Sequence, residues 1–302
     1  MRSGSSLFHD PRARFGLAVL VLAILVAVMA PLLAVDPSLQ RDIVATRFLP
    51  PLSTDLHGVF HLLGTDRFGR DVWARLVFGA RVSLGVGLLA VLLSVVIGMA
   101  VGAAAGFWQG RIGLVLLGLT DFALALPRVV LLLLLASLWQ PSAALVIVVL
   151  GLTGWMTIAR LVHGEVRALA ARPFVESAVA LGVRGPRVLV RHILPNALTP
   201  VIVAAALGVG NAIMLEAGLS FLGLGVQPPT PSWGNLIASG RDTLVNAPWV
   251  ATAPGVALVL VVVAATLLGD AVRDRLDPAG RRVSGSAGQG VSGSMHKWGT
   301  AS

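Results

Sequence analysis

The stretch Arg172–Pro200 reads RPFVESAVALGVRGPRVLVRHILPNALTP. It is a polar, arginine-rich island between two strongly apolar segments. Pro173 suits the first turn of a helix, where its missing N–H costs nothing. Phe174, Ala178 and Leu181 recur at i, i+4 and i+7, which predicts one apolar face. Gly182 is a natural left-handed stop. The pattern predicts a second helix starting at Pro186 and ending at Pro195, with Arg184, Arg187 and Arg191 as a basic stripe. Two readings of this helix pair stand. It inserts an apolar face into a partner's groove, or it is a basic loop set by topology and lying on anionic headgroups.

Outward from the island the chain is membrane-like. Of 302 residues, 56% are hydrophobic and 12% charged, where soluble domains carry about 25% charged residues. Apolar runs of about 20 residues recur, enough to cross a bilayer. Six spans are expected near residues 15–35, 82–106, 112–138, 143–162, 198–219 and 249–269. Each must be helical, because lipid offers the backbone no hydrogen bonds. The first is longer than a signal-peptide core, and Pro31 follows the best cleavage candidate at Ala30, so it reads as a retained helix.

With the N-terminus inside, fourteen arginines fall in inner segments and seven in outer ones. Both termini are therefore expected on the cytoplasmic side. The expected organisation is a cytoplasmic tail over 1–14, a six-span domain over 15–280 and a flexible Gly/Ser-rich tail over 281–302. Within the domain, 36–81 is external and 163–197 is cytoplasmic. The external segment should form turns and short helices, with an amphipathic entry into the second span.

Composition also excludes chemistry. There is no Cys, so disulfides and thiolate sites are absent. The basic balance follows from topology rather than from nucleic-acid binding. The only Lys is Lys297, flanked by His296 and Trp298, so no Walker A loop exists in this chain. P-loop chemistry would have to come from another polypeptide. His57 and His61 at i, i+4 lack a third metal ligand. Gly218-Leu219-Ser220-Phe221 has the look of an intramembrane serine protease, yet no histidine lies in a later span to serve as base.

The residues of the island resemble a known motif. Glu176-Ser177-Ala178, then Gly182, then Ile193-Leu194-Pro195 is similar to the EAA loop of binding-protein-dependent ABC importer permeases, with Ser177 in place of the middle Ala. The resemblance extends to the dipeptide/oligopeptide/nickel branch. It is carried by His61–Asp66 (HLLGTD), Gly69–Val72 (GRDV), Ala80–Leu84, Arg191–Asn196 (RHILPN), Glu216-Ala217, Leu219–Gly225 (LSFLGLG), Gln227–Trp233 (QPPTPSW), Ala247–Trp249, Leu268–Asp270 and Arg273–Pro278 (RDRLDP). It covers roughly residues 15–280 and fits the C-type subunit.

The resemblance implies an all-α membrane protein of the type I importer permease kind, not itself an enzyme. It implies a second, different permease chain, two cytoplasmic ATPases that bind ATP and Mg, and an external solute-binding protein. This chain would bind no cofactor or metal. Phe174, Glu176, Ala178, Gly182 and Arg187 would couple to an ATPase, with Phe174 and Ala178 supplying apolar contact. The implied cargo is a di- or oligopeptide, with nickel or glutathione as alternatives in the same family. A proton-coupled secondary carrier is the alternative of another class.

Three charged residues in or near the spans are pathway or gate candidates. Asp121 and Arg128 are seven apart, two turns along one helix face, and are expected to pair with each other or with the second permease chain. Pro127 between them should kink the helix. Glu216 either faces the pathway or caps the Gly-rich turn after it. Leu219–Trp233 is too rich in Gly and Pro for a plain span. It is expected to be a hairpin at the external mouth or an ordered linker.

Overall fold

The computed structural model describes residues 10–40, 42–108 and 110–276. The expected C-terminal tail, most of the N-terminal tail and the end of the RDRLDP match lie outside the described residues. The elements are α1 (Pro11–Val28), α2 (Ala30–Leu33), α3 (Ile43–Thr46), a hairpin of β1 (Ser53–Thr54) and β2 (Phe60–His61), α4 (Val72–Phe107), α5 (Arg111–Ala125), α6 (Arg128–Ser137), α7 (Ala143–Ala170), α8 (Pro173–Ala180), α9 (Gly185–Val188), α10 (Leu194–Phe221), α11 (Trp233–Arg241) and α12 (Trp249–Leu276). Among the described residues, α1, α4, α7, α12 and the helical run 185–221 are each long and apolar enough to cross a membrane. The pair α5–α6 is long and apolar enough only when taken together, and is bent by 86° at the break between its two helices.

At 36 residues, α4 is roughly 54 Å long, well beyond the ~30 Å hydrocarbon core. Its central problem is packing against α7 without a hydrophobic drive between helices. The sequence answers with small residues at four-residue intervals: Ser94, Gly98, Gly102 and Gly106. Ser94 Oγ donates to the Gly151 carbonyl at 3.1 Å. A methyl at Gly98 would lie 2.6 Å from Ile158 Cβ, and one at Gly102 would lie 2.8 Å from Val162 Cβ. The backbones thus approach closely enough for dispersion to hold the pair.

A different face of α4 meets α10 and α11, where Ala80, Ile213, Trp233 and Leu236 form a buried cluster. On the outside of the bundle, α1 lies along α12, with Gly16 against Ala264 and Leu268.

Residues 34–71 cap one end of the bundle, and the HLLGTDRFGRDV segment is the knot that ties that cap down. Asp66 accepts from the amides of Phe68 (2.8 Å) and Arg70 (3.0 Å) and from Arg70 Nε (2.8 Å). Thr65 Oγ1 donates to the Thr46 carbonyl and accepts from the Leu49 amide at 2.8 Å. Asp71 caps α4 by accepting from the Ala74 amide at 2.7 Å, while its other oxygen meets His61 Nδ1 at 2.6 Å. Trp249 Nε1 donates to the Thr65 carbonyl at 3.2 Å, fastening the start of α12 to the same knot. The expected turns and short helices are present, joined by a hairpin that periodicity did not suggest.

Candidate functional site

The island at the opposite end of the bundle folds as α8, a turn and α9. Arg172 precedes Pro173, which sits in the first turn of α8. The helix stops where Gly182 turns left-handed at φ +81°. The Gly182 amide donates to the Val179 carbonyl (2.9 Å) and the Val183 amide to the Ala178 carbonyl (3.1 Å). This is the Schellman pattern, which satisfies the last carbonyls of a helix.

The second helix departs from expectation. It does not end at Pro195. From Gly185 to Phe221 the chain stays helical for 37 residues. Pro195 lacks the N–H that would bond to Arg191, and its ring crowds that carbonyl. Residues 189–193 answer by widening into a π turn, with the Leu194 amide reaching the Leu189 carbonyl. The widened turn just before Pro195 leaves it at the start of the next α-helical stretch, where no N–H is needed.

The apolar face of α8 also differs. Ala178 is only 8% exposed and packs with Val175 inward, against Val162, Val166, Val188 and Ile193. It supports the fold from inside the chain. The side chains left outside are Phe174 (43% exposed), Val179 (56%) and Leu181 (85%). Glu176, Arg184, Arg187 and Arg191 are exposed around them. The exposed surface of the island is therefore apolar and charged together. Val179 is the member of it that the i, i+4, i+7 pattern missed, because only the contact with α7 and α9 decides which flank of so short a helix is inside.

The membrane-embedded charges rearrange as well. Asp121 and Arg128 do not pair. The 86° break at Leu126-Pro127 takes them off a common helix face. Asp121 instead meets Arg160 of α7 at 3.1 Å, with both side chains about half exposed. Arg128 is the first residue of α6. Its Nε is buried without a hydrogen-bond partner, and a terminal nitrogen lies beside Gly154 of α7.

Glu216 is wholly buried, at 0% exposure, so no solute passing the isolated chain touches it. One carboxyl oxygen accepts from Ser83 Oγ of α4 at 2.8 Å and the other from Ser220 Oγ at 2.7 Å. Those hydroxyls are themselves acceptors, Ser83 for the Trp233 amide (3.1 Å) and Ser220 for the Val226 amide (3.0 Å). Glu216 therefore ties α4, α10 and the start of α11 together, and holds the Gly-rich turn as a cap. Its partner Ser83 is 133 positions away, and nothing in the sequence joins them.

Leu219–Trp233 is an ordered linker. Asn235 Nδ2 donates to the carbonyls of Val226 (3.1 Å) and Thr230 (2.8 Å), and Ser232 and Asn235 form a capping box on α11. Ser220 is buried and committed to Glu216 and the Val226 amide, and among the described residues no histidine is hydrogen-bonded to it to complete a serine–histidine pair. Among the described residues no cluster of three His, Cys, Asp or Glu side chains is placed to hold a metal.

Comparison with known proteins agrees with this architecture. A family model described as "Binding-protein-dependent transport system inner membrane component" matches residues 94–282. A second, described as the N-terminal transmembrane domain of oligopeptide transport permease C, matches residues 4–51. The chain is 36% identical over 263 residues to the dipeptide transport system permease protein DppC of Alkalihalophilus pseudofirmus, covering 87% of this chain and 84% of that one. It is 37% identical over 286 residues to the oligopeptide transport system permease protein OppC of Escherichia coli K12, covering 92% and 93%. Among solved structures, an inward-facing form of the MetNI methionine ABC transporter shares the fold. It has a TM-score of 0.54 and 21% identity, covering 67% of this chain and 96% of that one. With one family model spanning well over half its length and relatives matched almost end to end, the chain belongs to the binding-protein-dependent transport system inner membrane components, on the type I ABC importer permease fold.

Proposed function

We propose that this chain is one permease subunit of an ATP-driven importer of di- or oligopeptides. A different permease chain forms the other half of the pathway. Two cytoplasmic ATPases bind ATP and Mg, and an external solute-binding protein delivers cargo. Both termini and the α8–α9 end then face the cytoplasm, and residues 36–71 face outside. This chain holds no nucleotide, cofactor or metal of its own. The peptide assignment rests on the relatives, which are named as dipeptide and oligopeptide permeases.

The observation that carries the coupling role is the apolar tip of the island, where Phe174, Val179 and Leu181 are exposed along with Glu176, Arg184, Arg187 and Arg191 of the same segment. A soluble partner's groove would bury that apolar tip. Gly182 shapes the turn behind it, and Ala178 anchors it to the bundle. Because α9 runs without a break into α10, a push on the tip is delivered along roughly 47 Å of helix to the Glu216 cross-link near the far end. ATPase closure would thereby rock α10 against α4, a rigid-body route to alternating access.

The test is Gly182→Val in the co-expressed complex. A β-carbon there meets nothing within 4 Å in this chain, so the cost is the left-handed backbone, about 1–2 kcal/mol and local to the turn. The permease should still insert and pair with the second permease chain, while ATPase retention on purification falls severalfold. Phe174→Ala should do the same through lost apolar contact. Full ATPase retention in both variants would refute the docking role.

A further inference from the structure

Arg128 is a cation inside an apolar span with nothing among the described residues to neutralise it. Its Nε is sealed from solvent and unbonded. The acid that its sequence neighbourhood offers, Asp121, is engaged by Arg160 at 3.1 and 3.2 Å. Glu216 is engaged by Ser83 and Ser220. Among the described residues Arg128 has no ion pair and no hydrogen bond. Intramembrane charges are costly to keep and face a bundle interior, a partner or a water-filled cavity.

Its setting adds to this. Arg128 opens α6 directly after the 86° break, and no side chain caps that helix start. Its terminal nitrogen lies beside Gly154 of α7, whose other near neighbour is Ser94 of α4, so the guanidinium reaches the small-residue face between those helices. A planar fork of N–H donors next to an uncapped helix start, in low dielectric, is chemistry that recognises a carboxylate. Breaks in membrane helices place such groups at transport sites.

We propose that Arg128 engages the carboxylate of the peptide in transit, giving the pathway a preference for cargo with a free acid terminus. This rests on the peptide-importer reading above. The same carboxylate chemistry could be offered by an Asp or Glu of the second permease chain, and the experiment separates the two sources.

The complete complex is reconstituted in liposomes with its solute-binding protein. Uptake of a short peptide is compared with uptake of its C-terminal amide, each at saturating binding protein, for wild type, Arg128→Gln and Arg128→Lys. Dividing each variant by wild type cancels the binding protein's own selectivity. Arg128→Gln should lower uptake of the free acid by roughly tenfold or more, the effect of a lost charge-assisted contact. It should leave the amide within about twofold, and Arg128→Lys should restore part of the difference. Equal loss for acid and amide in an intact complex would overturn the inference. So would a complex that loses its second permease chain in Arg128→Gln, since the carboxylate would then be the partner's. A wild-type complex that moves neither peptide would overturn the peptide reading itself and this inference with it.

Discussion

Replacing Glu216 by Ala should be among the most damaging single changes in the bundle, and the reason lies in its three-way contact. The carboxyl accepts from Ser83 Oγ at 2.8 Å and Ser220 Oγ at 2.7 Å at a site with no exposure. Each such bond contributes about 1–3 kcal/mol net. Truncation removes both and leaves two buried hydroxyl protons without acceptors, with a small cavity in addition. The expected loss is roughly 3–6 kcal/mol, large against the 5–15 kcal/mol that holds most folds together.

Glu216→Gln keeps the shape and one carbonyl acceptor, so about 1–2 kcal/mol should be lost. Ser83→Ala should cost about as much as one bond and also orphan the Trp233 amide, which rests on that hydroxyl at 3.1 Å. The assay is reversible denaturation of the purified permease in mixed detergent micelles, run as a double-mutant cycle of Glu216→Ala with Ser83→Ala. The network requires a coupling well above 0.5 kcal/mol, because the two changes delete the same bond. A Glu216→Ala protein within 0.5 kcal/mol of wild type, or strict additivity in the cycle, would refute the reasoning.

Gly98→Leu should separate α4 from α7, since even its β-carbon would lie 2.6 Å from Ile158 Cβ and 2.7 Å from the Trp155 carbonyl. A loss of about 1–3 kcal/mol is expected, with Gly85→Leu, at a position open to 4 Å, as the control that leaves the same denaturation curve in place. At the other end, burial pushes the Asp55 carboxyl up. The amides of Val59 and His57 and the nearby His61 and His57 rings outweigh it and hold Asp55 below its ordinary 3.8. A carboxyl lowered by folding stabilises above its unfolded value and loses that contribution as pH falls through the folded one. Amide protection of the 53–61 hairpin should therefore be steady above pH 3.8 and drop below it. Asp55→Asn should already show the reduced protection at neutral pH, and should lose less than wild type on acidification.

How much of this was legible in the chain differs by element. The spans were, because crossing a bilayer requires long apolar helical runs and the backbone has no alternative there. Gly182 was, because a left-handed turn between helical patterns asks for glycine wherever it occurs. Pro127 was legible as a weak point but not as an 86° turn. That angle depends on what α5 and α6 pack against. Pro195 was misleading. A proline reads as a stop, yet one π turn before it let the helix continue, a solution set by the contacts of Leu189 and Ile193 with the core.

By itself, the sequence determined that this is a helical membrane protein, that these 302 residues hold no Walker A loop, and that a basic two-helix element stands between its fourth and fifth membrane segments. Those conclusions follow from composition, length and local backbone chemistry, which do not depend on neighbours. Only the tertiary structure decided that Ala178 faces in while Val179 faces out, that Asp121 belongs to Arg160, that Glu216 is held between Ser83 and Ser220, and that Arg128 is left without a partner among the described residues. The Asp121–Arg160 and Glu216–Ser83 pairs span 39 and 133 positions, and the others turn on how separate helices pack. Whether a side chain is satisfied, exposed or waiting for a ligand is a property of what the fold brings beside it.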